Sequence, residues 1–189
     1  MFILGSSSPS RLQLIKQINF IPDLVVGADI DETPLKKEKP ADYVKRIAES
    51  KAEFLHQKYF GNNILSADTI VVSKSKIFQK AYTDEDVKKF LNEFSGRSVK
   101  LLTAVYFISS THKRVKKLVE TSVKFKYLNE NDINEYIKSG IGLRKAGGIC
   151  IESMMDAFVI KIIGSYSNIQ GLPLYDVRNI LISSGVKPK

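Results

Sequence analysis

The stretch that most constrains the fold lies at the start of the chain, where residues 2–12 read FILGSSSPSRL. Residues 2–5 begin with a short apolar run and predict a strand, and the serines after them predict a loop. Residues 9–19 carry apolar side chains at helical spacing and predict a helix, with Ser8 as its N-cap and Pro9 in its first position. The chain is therefore expected to open with a strand, a loop and a helix.

The same stretch has the composition of an anion-binding loop. A helix N-terminus offers unpaired N–H groups and a partial positive charge. Gly5 lets a ligand approach the backbone, the serines can donate hydrogen bonds, and Arg11 can fork onto a phosphate. The alternative is an ordinary capped helix with a surface arginine. This stretch alone slightly favours that alternative, because it lacks the Gly-Lys-Ser/Thr ending of a P-loop.

Length and composition predict a folded chain with a substantial core. The 189 residues, 43% of them hydrophobic, support one domain, or one domain of two lobes. No apolar run approaches membrane-spanning length and no basic segment precedes the first apolar residues, so neither a transmembrane helix nor a secretory signal is expected. Cys150 is the only cysteine, which excludes an internal disulfide, suits a reducing cytoplasm and predicts a small buried side chain.

The charge balance favours anionic partners. Lysine and arginine number 29 against 20 aspartates and glutamates, a formal net charge of +9. Such a field attracts nucleic acids or phosphorylated small molecules. The lysines are scattered, however, and neither zinc-finger spacing nor an RRM-type aromatic motif occurs, so no specific nucleic-acid partner is expected.

Beyond the first helix, strand and helix patterns alternate. An apolar stripe at three-and-four spacing predicts a long helix from Pro40, with Lys51 beside the stripe at the edge of the core. Residues 64–72 predict a strongly apolar strand that returns through a hairpin at 77–78. Other strands are predicted at 22–28, 99–109, 115–127, 149–151 and 158–163, other helices after Thr83, after Asn129 and over 174–184, and a loop over 164–171. Together these elements predict a mixed sheet covered by helices.

Asp68 is the strongest single candidate for a functional residue. It lies in the middle of the apolar strand at 64–72, where a carboxylate is costly unless a metal, a cation or hydrogen bonds compensate it. A carboxylate in such a place is a site candidate. The alternative is a strand edge or bulge, where the backbone satisfies Asp68.

The other candidates are weaker when each is taken alone. Asp31-Glu32 follows a predicted strand and could join a metal site, although solvated turn chemistry is the commoner role of such a pair. The cationic candidates for phosphate contacts, each more often a surface charge, are Arg11, Lys51, Lys80 and Arg144-Lys145. His56 and His112 lie on polar segments and indicate neither a metal site nor a catalytic triad. Together the candidates predict carboxylates that hold a divalent metal, cations that hold a polyphosphate, and a carboxylate that activates water.

Several motifs, in order along nearly the whole chain, resemble the signatures of the Maf family of nucleoside triphosphate pyrophosphatases. The N-terminal stretch is similar to L-A-S-x-S-P-R-R. The other matching segments are Asp31-Glu32, residues 46–52 (R-L-A-x-x-K-A), 66–69 (A-D-T), Lys80 (G-K-P), 91–103 (L-x-x-L-S-G-R…T), 145–148 (A-G) and 164–174 (G-S-Y-x-N-V-x-G-L-P-L).

The resemblance implies an α/β fold of the ITPase-like (Maf/Ham1) type, with an elongated mixed sheet flanked by helices and one domain over residues 1–189 whose two lobes surround a central cleft. It implies hydrolysis of nucleoside triphosphates, including non-standard ones, to monophosphate and pyrophosphate. A divalent cation, Mg²⁺ or Mn²⁺, a cytoplasmic location and often a homodimer are also implied. The site roles implied are Asp68 as proton acceptor, Glu32, Lys51 and Lys80 as further catalytic residues, Glu32 and Asp68 as metal ligands, Ser6 and Arg11 as triphosphate contacts, and Ser10, Thr69 and Glu152 as specificity positions.

Departures from the family pattern bear on efficiency and base preference. Ser10 replaces the first arginine of R-R, Ala81 replaces the proline of G-K-P, and Val99 stands where a histidine is usual. Glu152 replaces the glutamine of I-Q-G. In the family, glutamine at this position occurs in enzymes that prefer dTTP and UTP, whereas glutamate occurs in a branch that prefers 7-methyl-GTP. Thr69, by contrast, resembles the pyrimidine branch.

Glu152 is expected to contact the base. An ionised carboxylate only accepts hydrogen bonds and can take both N1–H and N2–H of guanine, so Glu152 alone predicts a tilt toward guanine-like substrates. The alternative is that Glu152 points to solvent and reads nothing.

A second function remains open beside the enzymatic one. The chain could be a catalytically weak nucleotide- or nucleic-acid-binding regulator of cell division that keeps the fold without the chemistry. The enzyme requires Asp68, Glu32, Lys51 and Lys80 to converge on one cleft, whereas the regulator requires the excess positive charge to gather on one face. The apparently intact catalytic set favours the enzyme.

Overall fold

The computed structural model describes residues 1–189 and shows a mixed α/β fold built on a seven-stranded sheet. The strands are β1 (Phe2–Gly5), β2 (Leu24–Val25), β3 (Asn63–Ser73), β4 (Lys76–Phe78), β5 (Ser98–Ile108), β6 (Arg114–Phe125) and β7 (Val159–Ile163). The helices are α1 (Pro9–Gln17), α2 (Pro40–Lys58), α3 (Asp84–Phe94), α4 (Glu130–Lys138), α5 (Tyr166–Ile169) and α6 (Leu174–Ser183), and a 3₁₀ helix spans Met154–Phe158. None of these helices combines the length and the apolar character needed to cross a membrane.

The sheet is mixed, as the sequence predicts. Its strand order is β2-β1-β3-β5-β6-β7, and β4 pairs with β3. β1 runs parallel to β2 and to β3, with Gly5 opposite Ser66, whereas β3–β4 and β6–β7 are antiparallel. The hairpin predicted at 77–78 forms, since β4 returns antiparallel to β3. The strands predicted at 99–109 and 115–127 are present as β5 and β6, sheet neighbours joined by residues 109–113.

The chain divides into two compact units, each with its own core. The first unit comprises residues 1–68, 103–119 and 171–189, and the second comprises residues 69–102 and 120–170. The arrangement of both units around one cleft stays a prediction. In the second unit, the helices predicted after Thr83 and Asn129 are present as α3 and α4, and each begins with a capping box.

In the first unit, helices cover both faces of β3. Leu65 and Ala67 point into a core shared with α1 and α6. Successive strand residues face opposite sides, so Ser66 and Asp68 point the other way, toward α2. The apolar stripe of α2 is buried there, as predicted, through Val44, Ile47, Ala48, Ala52 and Leu55. This double coverage explains why residues 64–68 are all buried, and it places Asp68 under a helix.

Three predicted elements differ from the structure. The strand predicted at 22–28 shrinks to Leu24–Val25, which pair with Ile3 and Leu4 of β1. The strand predicted at 149–151 is wrong. These residues are buried, but they form turns closed by bonds from Ile149 N to Ala146 O and from Ser153 N to Cys150 O, at 3.1 and 3.2 Å. The loop predicted at 164–171 contains α5.

The two histidines contact each other in the structure, although both lie in polar segments of the sequence. His56 is buried on α2, and its Nε2 lies 3.3 Å from Nδ1 of His112 in the β5–β6 turn. Both rings contact Phe60. The sequence shows no sign of this contact, because 56 residues separate the two histidines.

Gly5 is predicted to be required for packing as well as for ligand approach. A Cβ at Gly5 would lie 2.3 Å from Ser66 Oγ and 2.6 Å from Leu55 Cδ1, whereas a Cβ at Gly27 meets nothing closer than 3.5 Å. Gly5→Ala should lower the free energy of unfolding by ~1–3 kcal/mol, measured by urea denaturation. Gly27→Ala is the matched control and should be neutral or slightly stabilising. Equal stability of the two variants would contradict the packing role.

Candidate active site

Asp68 is buried and paired with a lysine. Only 8% of the residue is exposed, and Lys51 Nζ donates a hydrogen bond to Asp68 Oδ1 at 2.9 Å. The same Nζ lies 3.0 Å from Glu32 Oε1, and only 12% of the Lys51 side chain is exposed. Lys51 therefore bridges two carboxylates, which explains how the strand tolerates a buried charge. The position of Lys51 at the edge of the core is as predicted.

The loop that carries Glu32 is tied to α2. Tyr43 Oη donates to the Glu32 carbonyl at 2.9 Å, and Arg46 donates to the Thr33 carbonyl at 3.1 Å. Arg46 also forks onto the Glu38 carboxylate, with distances of 2.7 and 2.8 Å. The hydrogen bond from Arg46 is the main reason that the pKa of Glu38 falls to about 2. These contacts position Glu32 over Lys51.

The N-terminal loop adds a second cation. Ser8 caps α1 and Pro9 starts it, as predicted. Ser6 Oγ accepts hydrogen bonds from Ser8 N and from Arg11 Nη1, both at 3.2 Å, and Arg11 Nε donates to the Gly171 carbonyl at 2.8 Å. Burial lowers the pKa of the Arg11 guanidinium, and the negative charges of Asp68 and Glu32 oppose that effect. Arg11 thus lies within the electrostatic reach of both carboxylates.

The first unit therefore gathers five of the predicted residues: Ser6, Arg11, Glu32, Lys51 and Asp68. No group of three or more His, Cys, Asp or Glu side chains that could hold a metal by themselves is present. The two carboxylates on Lys51 nevertheless fit Mg²⁺, which is commonly held by one or two carboxylates together with water and substrate phosphates. The donor set suits a metal that binds with its substrate rather than a closed metal site.

Lys80 belongs to the second unit, where backbone pairing holds its segment. Ala81 N donates to the Lys145 carbonyl at 3.1 Å, and Arg144 N donates to the Ala81 carbonyl at 2.7 Å. Lys80 itself forms an isolated antiparallel bridge with Ala146. The Lys80 segment and the segment at 144–147 therefore form one small ribbon, although the sequence suggests no pairing between them.

The three positions predicted to set specificity lie in different surroundings. Ser10 is half-buried in the first turn of α1, and Thr69 follows Asp68 on β3. Glu152 lies in the turn after Cys150, with its Oε1 4.0 Å from Lys145 Nζ. Val99, in place of the usual histidine, is fully buried in the core of the second unit. Cys150 is buried as predicted, and burial raises the pKa of its thiol.

Two features of the site could not be predicted from the sequence. The Glu38–Arg46 ion pair joins a lysine-rich loop to α2 through two residues that are eight positions apart. Nothing in the sequence of that loop singles out Glu38. The pairing of Lys145 with Glu152 depends on the turns at 147–153, where the sequence predicts a strand instead. Both features rest on loop geometry rather than on periodic patterns.

Comparison with known proteins gives consistent results. A family model described as Maf-like protein matches residues 1–184. A dTTP/UTP pyrophosphatase of Zymomonas mobilis is 39% identical over 97% of this chain and 91% of that protein. A nucleoside triphosphate pyrophosphatase of Neorickettsia sennetsu is 40% identical over 98% of this chain and 88% of that protein. The solved structure of a HAM1 protein from Coxiella burnetii has a TM-score of 0.50 at 14% identity and covers 96% of this chain and 98% of that one. That last likeness supports the ITPase-like fold.

The clamp on the Glu32 loop predicts an acid-sensitive contribution to stability. The pKa of Glu38 falls from 4.5 to about 2 in the folded chain, so its ion pair stabilises the fold above pH 4.5. That contribution is lost as the pH falls from 4.5 toward 2. The difference in Tm between wild type and Glu38→Gln should therefore be constant near neutral pH and vanish toward pH 2. Glu135→Gln on α4 controls for the loss of one exposed carboxylate, and a difference that persists at pH 2 would contradict this role.

Proposed function

Since the chain belongs to the family of Maf-like proteins, we propose that it is a nucleoside triphosphate pyrophosphatase. The reaction adds water to the α-phosphorus and releases a nucleoside monophosphate and pyrophosphate, from ordinary, deoxy or modified nucleoside triphosphates. The observation that carries this proposal is the bridge that Lys51 makes between the buried Asp68 and Glu32, within the electrostatic reach of Arg11. It offers a base and cations in one place, as hydrolysis of a phosphoanhydride requires.

Asp68 is proposed to accept the proton of the attacking water. The water oxygen forms the new bond to the α-phosphorus, and the bond from that phosphorus to the bridging oxygen breaks. Pyrophosphate leaves with the bridging oxygen and with the electron pair of the broken bond. The ion pair with Lys51 fixes the position of the Asp68 carboxylate, whose oxygens can accept a proton.

The cations are proposed to bind the triphosphate. Arg11 can present its guanidinium to a phosphate, and the start of α1 adds N–H groups and a partial positive charge. Lys51 and Lys80 would stabilise charge that develops on the leaving group. Ser6 positions Arg11 through its hydrogen bond, so its proposed contribution to triphosphate binding includes this indirect one.

Glu32 and Asp68 are the proposed ligands for Mg²⁺ or Mn²⁺. When bound, such an ion neutralises phosphate charge and helps to orient the triphosphate. Glu32 would hold its ligand position through the Tyr43 and Arg46 contacts of its loop. Tests of activity should therefore include both cations, with a chelator as the control.

Ser10, Thr69 and Glu152 are proposed to set base preference. Relatives at 39–40% identity are named dTTP/UTP pyrophosphatases, which favours a pyrimidine substrate. The cytoplasmic location and the homodimer stay predictions of the resemblance. The alternative of a nucleotide- or nucleic-acid-binding regulator also stays open to test.

A substrate panel tests the proposed function. Purified protein is incubated with UTP, dTTP, CTP, GTP, ATP and modified triphosphates, with Mg²⁺, Mn²⁺ or a chelator, and pyrophosphate is measured. Release of pyrophosphate that matches the monophosphate formed would support the proposal. Release of phosphate instead would indicate another bond specificity, and no turnover of any triphosphate would favour the regulator.

Asp68→Asn should abolish turnover while leaving the fold intact. The amide is nearly isosteric with the carboxylate but cannot accept a proton at neutral pH, so kcat should fall by at least about a hundredfold. Asp84→Asn, at the exposed start of α3, is the matched control. Thermal unfolding of both variants checks the fold, and activity of Asp68→Asn within a few-fold of wild type would overturn the mechanism.

Lys51→Ala and Lys80→Ala should both impair catalysis but should differ in their effect on stability. Both should lower kcat as well as kcat/KM if the lysines act on developing charge. Lys51 is buried between two carboxylates, so its loss should also lower Tm, whereas the exposed Lys80 should leave Tm unchanged. Wild-type kinetics in both variants would assign both lysines to structure alone.

A further inference from the structure

We propose that Lys51 competes with the divalent cation for the carboxylates of Glu32 and Asp68, and that it thereby delays metal binding until the triphosphate arrives. The ammonium group acts as an internal counter-ion that the metal must displace. This inference rests on the proposed function, because it concerns how the proposed metal ligands of that site are regulated. It gives Lys51 a role before catalysis, in addition to its proposed action on the leaving group.

The ammonium group of Lys51 already contacts both proposed metal ligands. Its Nζ is 2.9 Å from Asp68 Oδ1 and 3.0 Å from Glu32 Oε1. Mg²⁺ binds carboxylate oxygens at about 2.1 Å. A metal bound to the same two oxygens would therefore lie no more than about 5 Å from Lys51 Nζ, because both cations would contact the same atoms. The two positive charges would repel each other at that distance.

Burial makes this repulsion strong. Only 12% of the Lys51 side chain and 11% of the Asp68 side chain are exposed. The other lysines that form ion pairs have side chains that are 33–60% exposed. Water weakens the interaction between charges, so Lys51 repels a nearby cation more strongly than a surface lysine does. The two carboxylates are therefore a poor metal site as long as the ammonium group stays between them.

The triphosphate relieves this competition. Arg11 lies within the electrostatic reach of the same two carboxylates and adds a second positive charge. A divalent cation that joined these side chains without substrate would leave an excess of positive charge in a poorly solvated place. The phosphates offset that excess and offer the Lys51 ammonium group a new partner. Metal and triphosphate are therefore expected to bind together, as Lys51 moves from carboxylate to phosphate.

The two carboxylates remain close to each other when the ammonium group leaves. Contacts from Tyr43 and Arg46 tie the backbone of the Glu32 loop to α2, independently of Lys51. The Glu32 side chain is 47% exposed, so a cation from solvent can reach it. Two carboxylates without a counter-ion repel each other and attract a cation. Removing the charge of Lys51 should therefore create a metal site that needs no substrate.

The test uses Mn²⁺ alone as the probe, without any nucleotide, and measures its Kd by calorimetry and by electron paramagnetic resonance. Lys51→Met removes the ammonium group and keeps an unbranched side chain. It should lower the Kd for Mn²⁺ by about tenfold or more relative to wild type. Lys51→Arg keeps the positive charge and should bind Mn²⁺ as weakly as wild type. An unchanged or higher Kd in folded Lys51→Met would overturn the proposal.

Lys116→Met is the matched control, because Lys116 also pairs with a carboxylate in the first unit, at 2.8 Å from Glu49 Oε1. It removes one positive charge and should leave the Kd for Mn²⁺ unchanged. Adding Asp68→Asn to Lys51→Met should remove the gained affinity. An equal gain in Lys116→Met, or a gain that survives Asp68→Asn, would overturn the proposal, because the metal would then bind elsewhere.

Thermal unfolding shows whether each variant is folded and gives a second measure of binding. A metal that binds only the folded chain raises its Tm, so Mn²⁺ should raise the Tm of Lys51→Met more than that of wild type. Lys51→Gln keeps an amide that can donate to one carboxylate, and it replaces Lys51→Met if that variant does not fold. Its Kd for Mn²⁺ should also be below that of wild type, and an unchanged Kd would overturn the proposal.

These measurements do not depend on turnover. Tighter Mn²⁺ binding by Lys51→Met would support the competition even if wild type hydrolysed no triphosphate. Hydrolysis of triphosphates by wild type, without a gain of metal affinity in the variant, would support the proposed function and overturn the competition.

Discussion

The bridge that Lys51 makes between Asp68 and Glu32 is the interaction on which the rest of the first unit's site depends. A carboxylate on a strand covered on both faces is stable only with a partner, and Lys51 supplies it at 2.9 Å. The same ammonium group is 3.0 Å from Glu32 and so connects the loop before α2 to the strand. Removing Lys51 would leave both carboxylates without the cation that they share, and the charge of Asp68 would then lie in a poorly solvated place.

Helix α2 is the common support for these charges. Its apolar stripe is buried against the sheet, and this burial fixes the direction in which Lys51 extends along the edge of the core. Two further residues of the same helix, Tyr43 and Arg46, bind the backbone of the Glu32 loop. The proposed catalytic arrangement is thus built from one helix, one strand and one loop, and the burial of the apolar stripe keeps the three in position.

The parts of the fold that sequence patterns predict are those with a period. The stripe of α2, the helices after Thr83 and Asn129 and the apolar strand around Asp68 all appear as expected. The errors of prediction fall in buried segments whose apolar residues follow no regular spacing. Residues 149–151 are apolar and buried, but turns rather than a sheet satisfy their backbone, and a run of three residues cannot distinguish these cases. The Lys145–Glu152 pair is a product of those turns, so no local pattern could reveal it.

The charge balance within the first unit gives the physical reason for proposing a divalent cation. Arg11 and Lys51 are opposed by Asp68 and Glu32, so these four side chains are together neutral, although the chain as a whole carries a formal charge of +9. Under the proposed function, a triphosphate would bring several negative charges to a place where Lys51 already pairs with two carboxylates. Lysine residues elsewhere on the surface are screened by water and salt and contribute little at that distance. A cation shared by the carboxylates and the phosphates would compensate the added charge where it arises, and it would leave Lys51 available to the substrate.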